Sequence, residues 1–532
     1  MLRITNMRIA VKDDTPLTKL VAKRLKLPQQ AVEDVSIVRR AIDARRKNNI
    51  SFVYTLDVEV GQADGQVLAR LRGDRDVAVQ MKVQEVPIEQ GTRDIEYPPV
   101  VVGMGPAGLF AALKLAEQGY RPVVLERGRS IQRRSIDVQK FWQTGQFDPT
   151  SNVQFGEGGA GTFSDGKLTT RVNDRRMDDV LNILVDAGAP PEIKYLHKPH
   201  VGTDKLMEIV PRLREQIIAL GGQVQFEAQV TDFDIRDGMI KGVIVNETKC
   251  IPCNVVLLGI GHSARDTYSM LNQRGVAMEA KPFAIGVRIE HPQDLINRSQ
   301  HGEMAGYHKL GAADYALVFH DKAVGRTAYS FCMCPGGEVV AAASEDGGVV
   351  TNGMSLFGRK SDSANSALVV NVTPNDFGSG VLAGIEFQRH YERLAFKCGG
   401  ANYYAPVQSV GDFLTGKSGN TDGLVKPSYR PGTKRVKLTE CLPDFVTATL
   451  ARALPVFGNS IRGFDHPGAL MTGVETRTSA PVRLLRGSNY VSDNMDGLYP
   501  IGEGAGYAGG IMSAALDGMN AAIAVINKYK PC

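Results

Sequence analysis

Apolar residues along this chain change rhythm several times, and each change predicts a different element. Leu2 to Val11 and Ser51 to Val60 read as extended runs, Leu17 to Leu25 carries helical spacing, and Val35 to Arg39 is strand-like. With a helix near Gln66 to Leu71 and a strand near Val77 to Val83, residues 1–95 follow a β-α-β-β-α-β order, the ferredoxin-like arrangement. Pro87 to Pro99 has the composition of a linker. From Val100 the pattern sharpens: VVVGMGPAGLFAALKLAEQGYRPVVLERG is a buried strand, a glycine turn, a helix and a second buried strand ending in an acid. Val224 to Val245 alternates apolar and polar residues around turns such as Arg236-Asp237-Gly238, which predicts a β-meander, and Asn254 to Gly259 reads as another buried strand. Residues 271–471 are mixed, with strands near Ala284 to Ile289 and Ala367 to Val372 and a helix near Ala383 to Phe396. Gly497 to Tyr529 returns to strand, glycine turn and helix.

Composition narrows the class. A chain of 532 residues exceeds one hydrophobic core, so two or three domains are expected. The 57 glycines are well above the usual ~7% and cluster in a few loops, as tight backbone approach to a ligand requires. The net charge of +5 lies wholly in residues 1–80, where 15 Lys and Arg face 10 Asp and Glu. Its densest run is Arg39, Arg40, Arg45, Arg46 and Lys47, the place where a polyanion would be attracted. Seven cysteines, an odd number, do not suit a disulfide framework. No apolar leader opens the sequence, and the uncharged stretch Tyr97 to Leu113 is broken by Pro98, Pro99, Pro106 and three glycines. A cytoplasmic protein without a membrane span is expected.

Gly103-x-Gly105-x-x-Gly108 lies between the strand and the helix, with Glu126 ending the next strand. This is the dinucleotide fingerprint: Gly103 permits the tight turn, Gly105 admits a pyrophosphate to the backbone, and Gly108 lets helix and strand pack closely. Pro106 suits the first helical position, and Glu126 is placed to accept bonds from a ribose. Ala107 and Arg127 adjoin these and complete the first cofactor-binding set. The run Gly259-Ile-Gly261-His262-Ser263-Ala264 allows two readings. One is a second nucleotide turn with Glu279 as its ribose acid; the favoured one is a glycine turn at the same cofactor, because Pro282 makes a poor second βαβ unit. From Gly161 to Lys167 the chain also spells G-x-x-x-x-G-K, but Leu168 stands where a P-loop needs Ser or Thr for Mg²⁺.

The segment Gly497 to Ile511 resembles the second FAD signature of glutathione-reductase-type flavoproteins, with Glu503 in place of the usual Asp. The resemblance implies FAD as cofactor, contacted by Gly502, Glu503, Gly509, Gly510 and Ile511. The stretches NVQFGEGGAGTFSDGKL, KPHVGTDKL, GIGHSARDTY, YSFCMCPGGEVV and GVETRTSAPVR are similar to a bacterial and plastid family of FAD-dependent dehydrogenases. Residues 97–530 more distantly resemble the flavoprotein subunits of fumarate reductase and succinate dehydrogenase. This implies an α/β fold with a Rossmann-like FAD-binding domain of the glutathione reductase type. The expected segments are an N-terminal ferredoxin-like domain (1–95), the FAD domain in two parts (96–270 and 472–532), and an inserted α+β substrate or cap domain (271–471). The glycine-rich loop would run over the flavin, bringing Gly158, Gly159 and Gly161 to it along with Gly261.

Candidate chemistry follows from that placement. Arg477 is expected near the flavin ring, where a guanidinium binds an anionic substrate or stabilises reduced flavin. Lys167 falls in the flavin loop, and His200 and His262 are acid/base candidates because imidazole titrates near neutral pH. Cys332 and Cys334 offer thiols for exchange with reduced flavin; Cys250 and Cys253 have redox spacing but no helix start to support it. His197 and His200 lack further ligands at metal spacing, so no metal is expected. The expected function is an FAD-dependent oxidoreductase, a dehydrogenase passing hydride through flavin N5, with a small molecule or electron carrier such as NAD(P)H as partner. Nucleic-acid binding through the basic N-terminal segment and a P-loop phosphotransferase are the alternatives.

Overall fold

The computed structural model describes all 532 residues except 62–63, 72, 82–86, 420–422 and 532. Strands Leu2–Ala10, Val32–Asp43, Ser51–Val60 and Val77–Val79 form one antiparallel sheet, ordered second, third, first, fourth along the chain. Leu2, Ile4, Leu56 and Val58 are fully buried beneath helices Leu17–Leu25 and Asp64–Arg70, the one-sided burial that period-two alternation produces. Lys82 and Val83, the end of the fourth expected strand, lie outside the described residues. The basic run is a strand end and turn, and three of its five side chains make contacts within the protein. Arg39 hydrogen-bonds His197 Nδ1 at 2.7 Å, Arg40 lies over the rings of Phe52 and Tyr195, and Arg45 forks onto Asp43.

Five short strands build a parallel sheet in the order Leu498–Pro500, Val256–Leu258, Val100–Val102, Val123–Leu125 and Gln223–Gln225. The three central ones are apolar throughout and fully covered, as strands buried on both faces must be. Helix Pro106–Glu117, from the first glycine turn, packs against helix Ile511–Ile526, from the last. Gly518 makes that approach: a Cβ there would lie 2.0 Å from the Ala107 carbonyl oxygen. The expected meander is the three-stranded sheet Val230–Arg236, Met239–Val245 and Lys249–Pro252. Cys250 sits exposed within its edge strand, while burial pushes the Cys253 thiol up to about 12, so this pair is no reactive dithiol.

The third layer is a seven-stranded sheet, in order Val318–Asp321, Arg326–Cys334, Ser363–Val372, Phe283–Pro292, Leu470–Glu475, Ala405–Ser409 and Thr433–Arg435. The two strands read from sequence, near Ala284 and Ala367, are its adjacent central pair. The strand Leu470–Glu475 runs through the expected boundary at 471, and Met278–Ala280 pairs with Val482–Leu484 just outside this sheet. Among the described residues no helix is long and apolar enough to cross a membrane. Replacing Gly518 by Leu should wedge the two helices apart and destabilise the fold by about 1–3 kcal/mol in denaturant unfolding, with Gly518→Ala an intermediate case.

Candidate functional site

The parallel sheet and the seven-stranded sheet enclose an elongated cavity of about 250 Å³. One wall is backbone. Gly103, at φ +90°, has no room for a side chain, since a Cβ would meet the Gly259 carbonyl oxygen at 2.3 Å. Its turn ends at Gly105, which caps helix Pro106–Glu117, so the helix N-terminus faces the cavity. Gly510 caps helix Ile511–Ile526 in the same way, and two positive helix ends converge on one space. Gly261, Gly509 and Gly510 line the cavity with nothing within 4 Å of where a Cβ would stand. These three are glycines facing open room rather than packed backbone, which is the cradle a bound dinucleotide fills.

Glu126 ties this wall together. Its Oε2 accepts the Met104 N–H at 2.8 Å, and its Oε1 accepts Gly128 and Gly156 at 2.8 and 3.0 Å. Each carboxylate oxygen accepts two bonds, so Oε2 keeps one site toward the cavity for a ribose hydroxyl. Arg127 also lines the cavity; it forks onto Asp266 at 2.9 and 2.6 Å and lies 4.2 Å above the Phe155 ring. The loop Asn152–Gly159 is held from behind by Arg134, which is fully buried. That guanidinium donates to the carbonyls of Asn152 at 2.8 Å, Val153 at 2.9 Å, Gly156 at 3.3 Å, Glu157 at 2.6 Å and Gly159 at 3.0 Å. Burial lowers its pKa to about 10 against the opposing charges of Glu126 and Glu157, so it remains protonated at neutral pH. Sequence reading missed Arg134, though a signal exists: Ile131, Arg134, Val138 and Phe141 form the buried stripe of helix Ile131–Thr144, and a charge in an apolar stripe needs partners.

The glycine-lysine run is not a P-loop. Ala160–Phe163 is a single 3₁₀ turn, and Lys167 forms an isolated bridge with His200 where a P-loop would begin a helix. Gly159 and Gly161 line the cavity, whereas Gly158, Gly108 and Gly502 stand behind the wall as spacers. Pro106, Ala107 and Ile511 complete the lining from the two helix starts. The Gly259–Ala264 turn joins the same cavity, because strand Val256–Leu258 pairs with Val100–Val102 in one sheet. Glu279 faces Arg483 instead and takes no part, which removes the second-nucleotide-site reading.

The opposite wall comes from the seven-stranded sheet and carries charge in pairs. Arg288 grips Glu475 through two bonds of 3.0 and 3.2 Å, and Glu475 outweighs the burial that opposes the arginine's charge. Arg477 lines the cavity as expected, yet its donors are taken by Glu392 at 3.2 and 3.0 Å, Ser263 at 2.8 Å and Ser344. Glu392 also binds Arg265; burial opposes its charge, but the two arginines hold its carboxyl below the usual range. Arg477 is thus an internally compensated cation rather than a free anion receptor. None of Arg265, Arg288, Glu392 or Glu475 was singled out by sequence, although a charge inside an apolar run such as FAIGVRIEHP is again the available signal.

Lys167, Cys332 and Cys334 line this wall together. Cys332 sits at φ +41° in a bulge of strand Arg326–Cys334, where its residue surface is exposed at the cavity while the protein packed around its thiol pushes it up to about 11. A thiol, not a thiolate, is therefore present at neutral pH, which weighs against redox exchange. His200 does not reach the cavity: its Nε2 bonds the Phe357 carbonyl at 2.9 Å, and burial, then the Arg359 charge, lower its pKa. His262 does line it, but burial and the charges of Arg477 and Arg265 lower its pKa to about 3, so it is neutral across the physiological range. Glu503 lines the cavity beside Lys281, and burial raises its carboxyl to about 7.

Two outcomes are expected. Arg134→Met leaves several buried carbonyls without donors and should destabilise the protein by on the order of 3–5 kcal/mol in denaturant unfolding. A folded pKa of about 7 against an ordinary 4.5 means that the cofactor-free protein loses stability as pH rises between those values. Glu503→Gln should match wild type in Tm at pH 4.5 and exceed it by a few degrees at pH 8; an equal Tm at pH 8 would contradict the buried setting of this carboxyl.

Comparison with known proteins agrees with this geometry. Residues 282–478 match a family described as "FAD-dependent protein, C-terminal domain-like", and residues 1–59 match a domain of unknown function. An uncharacterized protein of Clostridium beijerinckii is 50% identical over 531 residues, covering 99% of each chain. Among solved structures, CtdE in complex with FAD is 12% identical over 81% of this chain and 84% of its own, with a TM-score of 0.32. A triple mutant of a flavin-dependent brominase is 11% identical over 81% and 80%, with a TM-score of 0.37. Glycine oxidase from Bacillus cereus is 11% identical over 82% and 99%, with a TM-score of 0.32. With half of its residues shared with the Clostridium beijerinckii protein along the whole length, and its central sheet matched by the family model, this chain belongs to the family of FAD-dependent proteins, and FAD is its cofactor.

Proposed function

We propose that the protein is an FAD-dependent oxidoreductase, a dehydrogenase whose substrate enters on the side of Phe331, Cys332, Asn352 and Lys167. The observation that carries this reading is the convergence of three glycine turns and two helix N-termini on one cavity that also opens to side chains of a second sheet. The turn Gly103–Gly108 and the N-terminus of helix Pro106–Glu117 would hold the diphosphate, with Glu126 Oε2 taking a ribose hydroxyl. Gly261, Gly509 and Gly510 would give close backbone approach. Bound FAD supplies reversible two-electron transfer.

The chain's own groups orient and exclude. The paired charges of Arg288 with Glu475 and Arg477 with Glu392 fix the sheet-side wall without presenting net charge to a ligand. Glu503, raised to about 7, exchanges its proton near neutral pH and is suited to receive or return a proton there. His262, neutral throughout, serves as a hydrogen-bonding group tied to Ser263 Oγ at 2.8 Å.

Gly509→Leu tests the cradle. A Cβ at this position meets nothing within 4 Å and the backbone φ lies outside the left-handed region, so the cofactor-free variant should keep the wild-type Tm. Its affinity for FAD should fall at least 100-fold, measured by flavin fluorescence quenching; unchanged affinity would remove this segment from the cofactor site. Anaerobic reduction of the wild-type flavin by NADH and NADPH, followed by a panel of oxidants, tests the oxidoreductase assignment, which fails if the flavin neither reduces nor reoxidises.

A further inference from the structure

Two of the three cationic side chains that line the cavity, and two of its carboxylates, are ion-paired within the protein. Arg127 pairs with Asp266, Asp165 with Arg359, Glu475 with Arg288 and Arg477 with Glu392. Lys167 is different. Its Nζ donates to the Met333 carbonyl, and among the described residues no carboxylate lies within ion-pair distance of it. Two of its three N–H groups remain for a ligand, and a partly buried cation without an anion is an incomplete arrangement.

A second donor stands close by. Asn352 Oδ1 accepts Arg288 at 3.0 Å and the Gly353 N–H at 2.8 Å, which fixes the amide so that its Nδ2 is the atom left unbonded. The same Arg288 donates to the Cys332 carbonyl at 2.8 Å, the residue before the carbonyl that Lys167 holds. Lys167 and Asn352 both line the cavity, as does Phe331, and both connect to the Cys332–Met333 segment, Lys167 directly and Asn352 through Arg288. Two N–H donors with one positive charge match the two oxygens and single charge of a carboxylate. A phosphate dianion would bring a second charge toward Glu475 with no further cation to balance it.

We infer that the substrate is an organic carboxylate, held by the Lys167 ammonium and the Asn352 amide on the sheet-side wall of the cavity. This rests on the oxidoreductase reading and adds the substrate class to it. The test is isothermal titration of the FAD-loaded protein with benzoate and butyrate, with benzamide as the neutral isostere and inorganic phosphate as the competing anion. Benzoate or butyrate should bind saturably and benzamide and phosphate at least tenfold more weakly. Lys167→Met should lose at least tenfold in carboxylate affinity at unchanged flavin content and Tm, and Lys167→Arg should recover part of it. Carboxylate binding no tighter than that of benzamide or phosphate, or equal in Lys167→Met, would overturn the inference. A Lys167→Met protein that releases its flavin would assign the lysine to the cofactor and overturn it equally. Wild-type protein that takes up no FAD would instead overturn the oxidoreductase reading, and this one with it.

Discussion

The site depends first on the Arg134 guanidinium. A loop of glycines has no regular ladder to satisfy its backbone, and without partners its buried carbonyls would favour water and a disordered chain. Here the carbonyls of the loop Asn152–Gly159 turn to one arginine, while its amides turn to the Glu126 carboxylate, the Arg129 carbonyl and the Met104 carbonyl. The loop is thereby ordered by a hub rather than by secondary structure. Once fixed, it brings Gly159 against Gly105 and Gly161 against Ile511, so the first and last glycine turns of the chain are braced by the same few residues. A longer side chain at either contact would part the two helix N-termini whose convergence makes the cavity suitable for a diphosphate.

The sheet-side wall solves a different problem. Arg265, Arg288, Glu392 and Glu475 are buried charges, and such pairs contribute little net stability because desolvation opposes the attraction. Their effect is directional. Arg288 draws Glu475, Asn352, Asn365 and the Cys332 carbonyl onto one planar fork, so four separate strands and turns are held in a single register. Glu392 does the same for Arg265, Thr476 and Arg477. Because the arginines of this wall are already matched, Lys167 is the cavity cation left to act on a ligand.

What the sequence revealed follows the range of the interactions concerned. Gly103 to Gly108 and Glu126 were legible because the turn, the helix start and the acid lie within one local unit whose spacing is dictated by backbone geometry. The central strands Phe283–Pro292 and Ser363–Val372 were legible from their apolar cores, Ala284 to Val287 and Ala367 to Val370, and both are buried along nearly their whole length. The adjacent strand Arg326–Cys334 and the outlying strand Ala405–Ser409 were not, since a bulge breaks the alternation in the first and the second is only five residues long. Gly161 to Lys167 spells a phosphate loop that Leu168 already speaks against, and the 3₁₀ turn at Ala160–Phe163 shows why: a motif is a spelling until its strand and helix are present. Arg477 was placed correctly at the cavity, but Glu392 lies 85 residues away, and no local pattern discloses that its charge is already matched.

The same reasoning explains why the chain's two ends must meet before a site exists. The parallel sheet is left after Val256–Leu258 and regained at Leu498–Pro500, and these two strands are neighbours. Everything between them is anchored where Met278–Ala280 pairs with Val482–Leu484, a short ladder that fixes the departing and returning chains side by side. The seven-stranded sheet hangs from that ladder. Its distance from the glycine wall, and with it the width of the cavity, is therefore set jointly by three paired residues on each strand and by the Arg134-held loop reaching across from the other side. Neither half of the chain contains the cavity alone, so the site exists only where the ordered loop and the paired ladder are both in place.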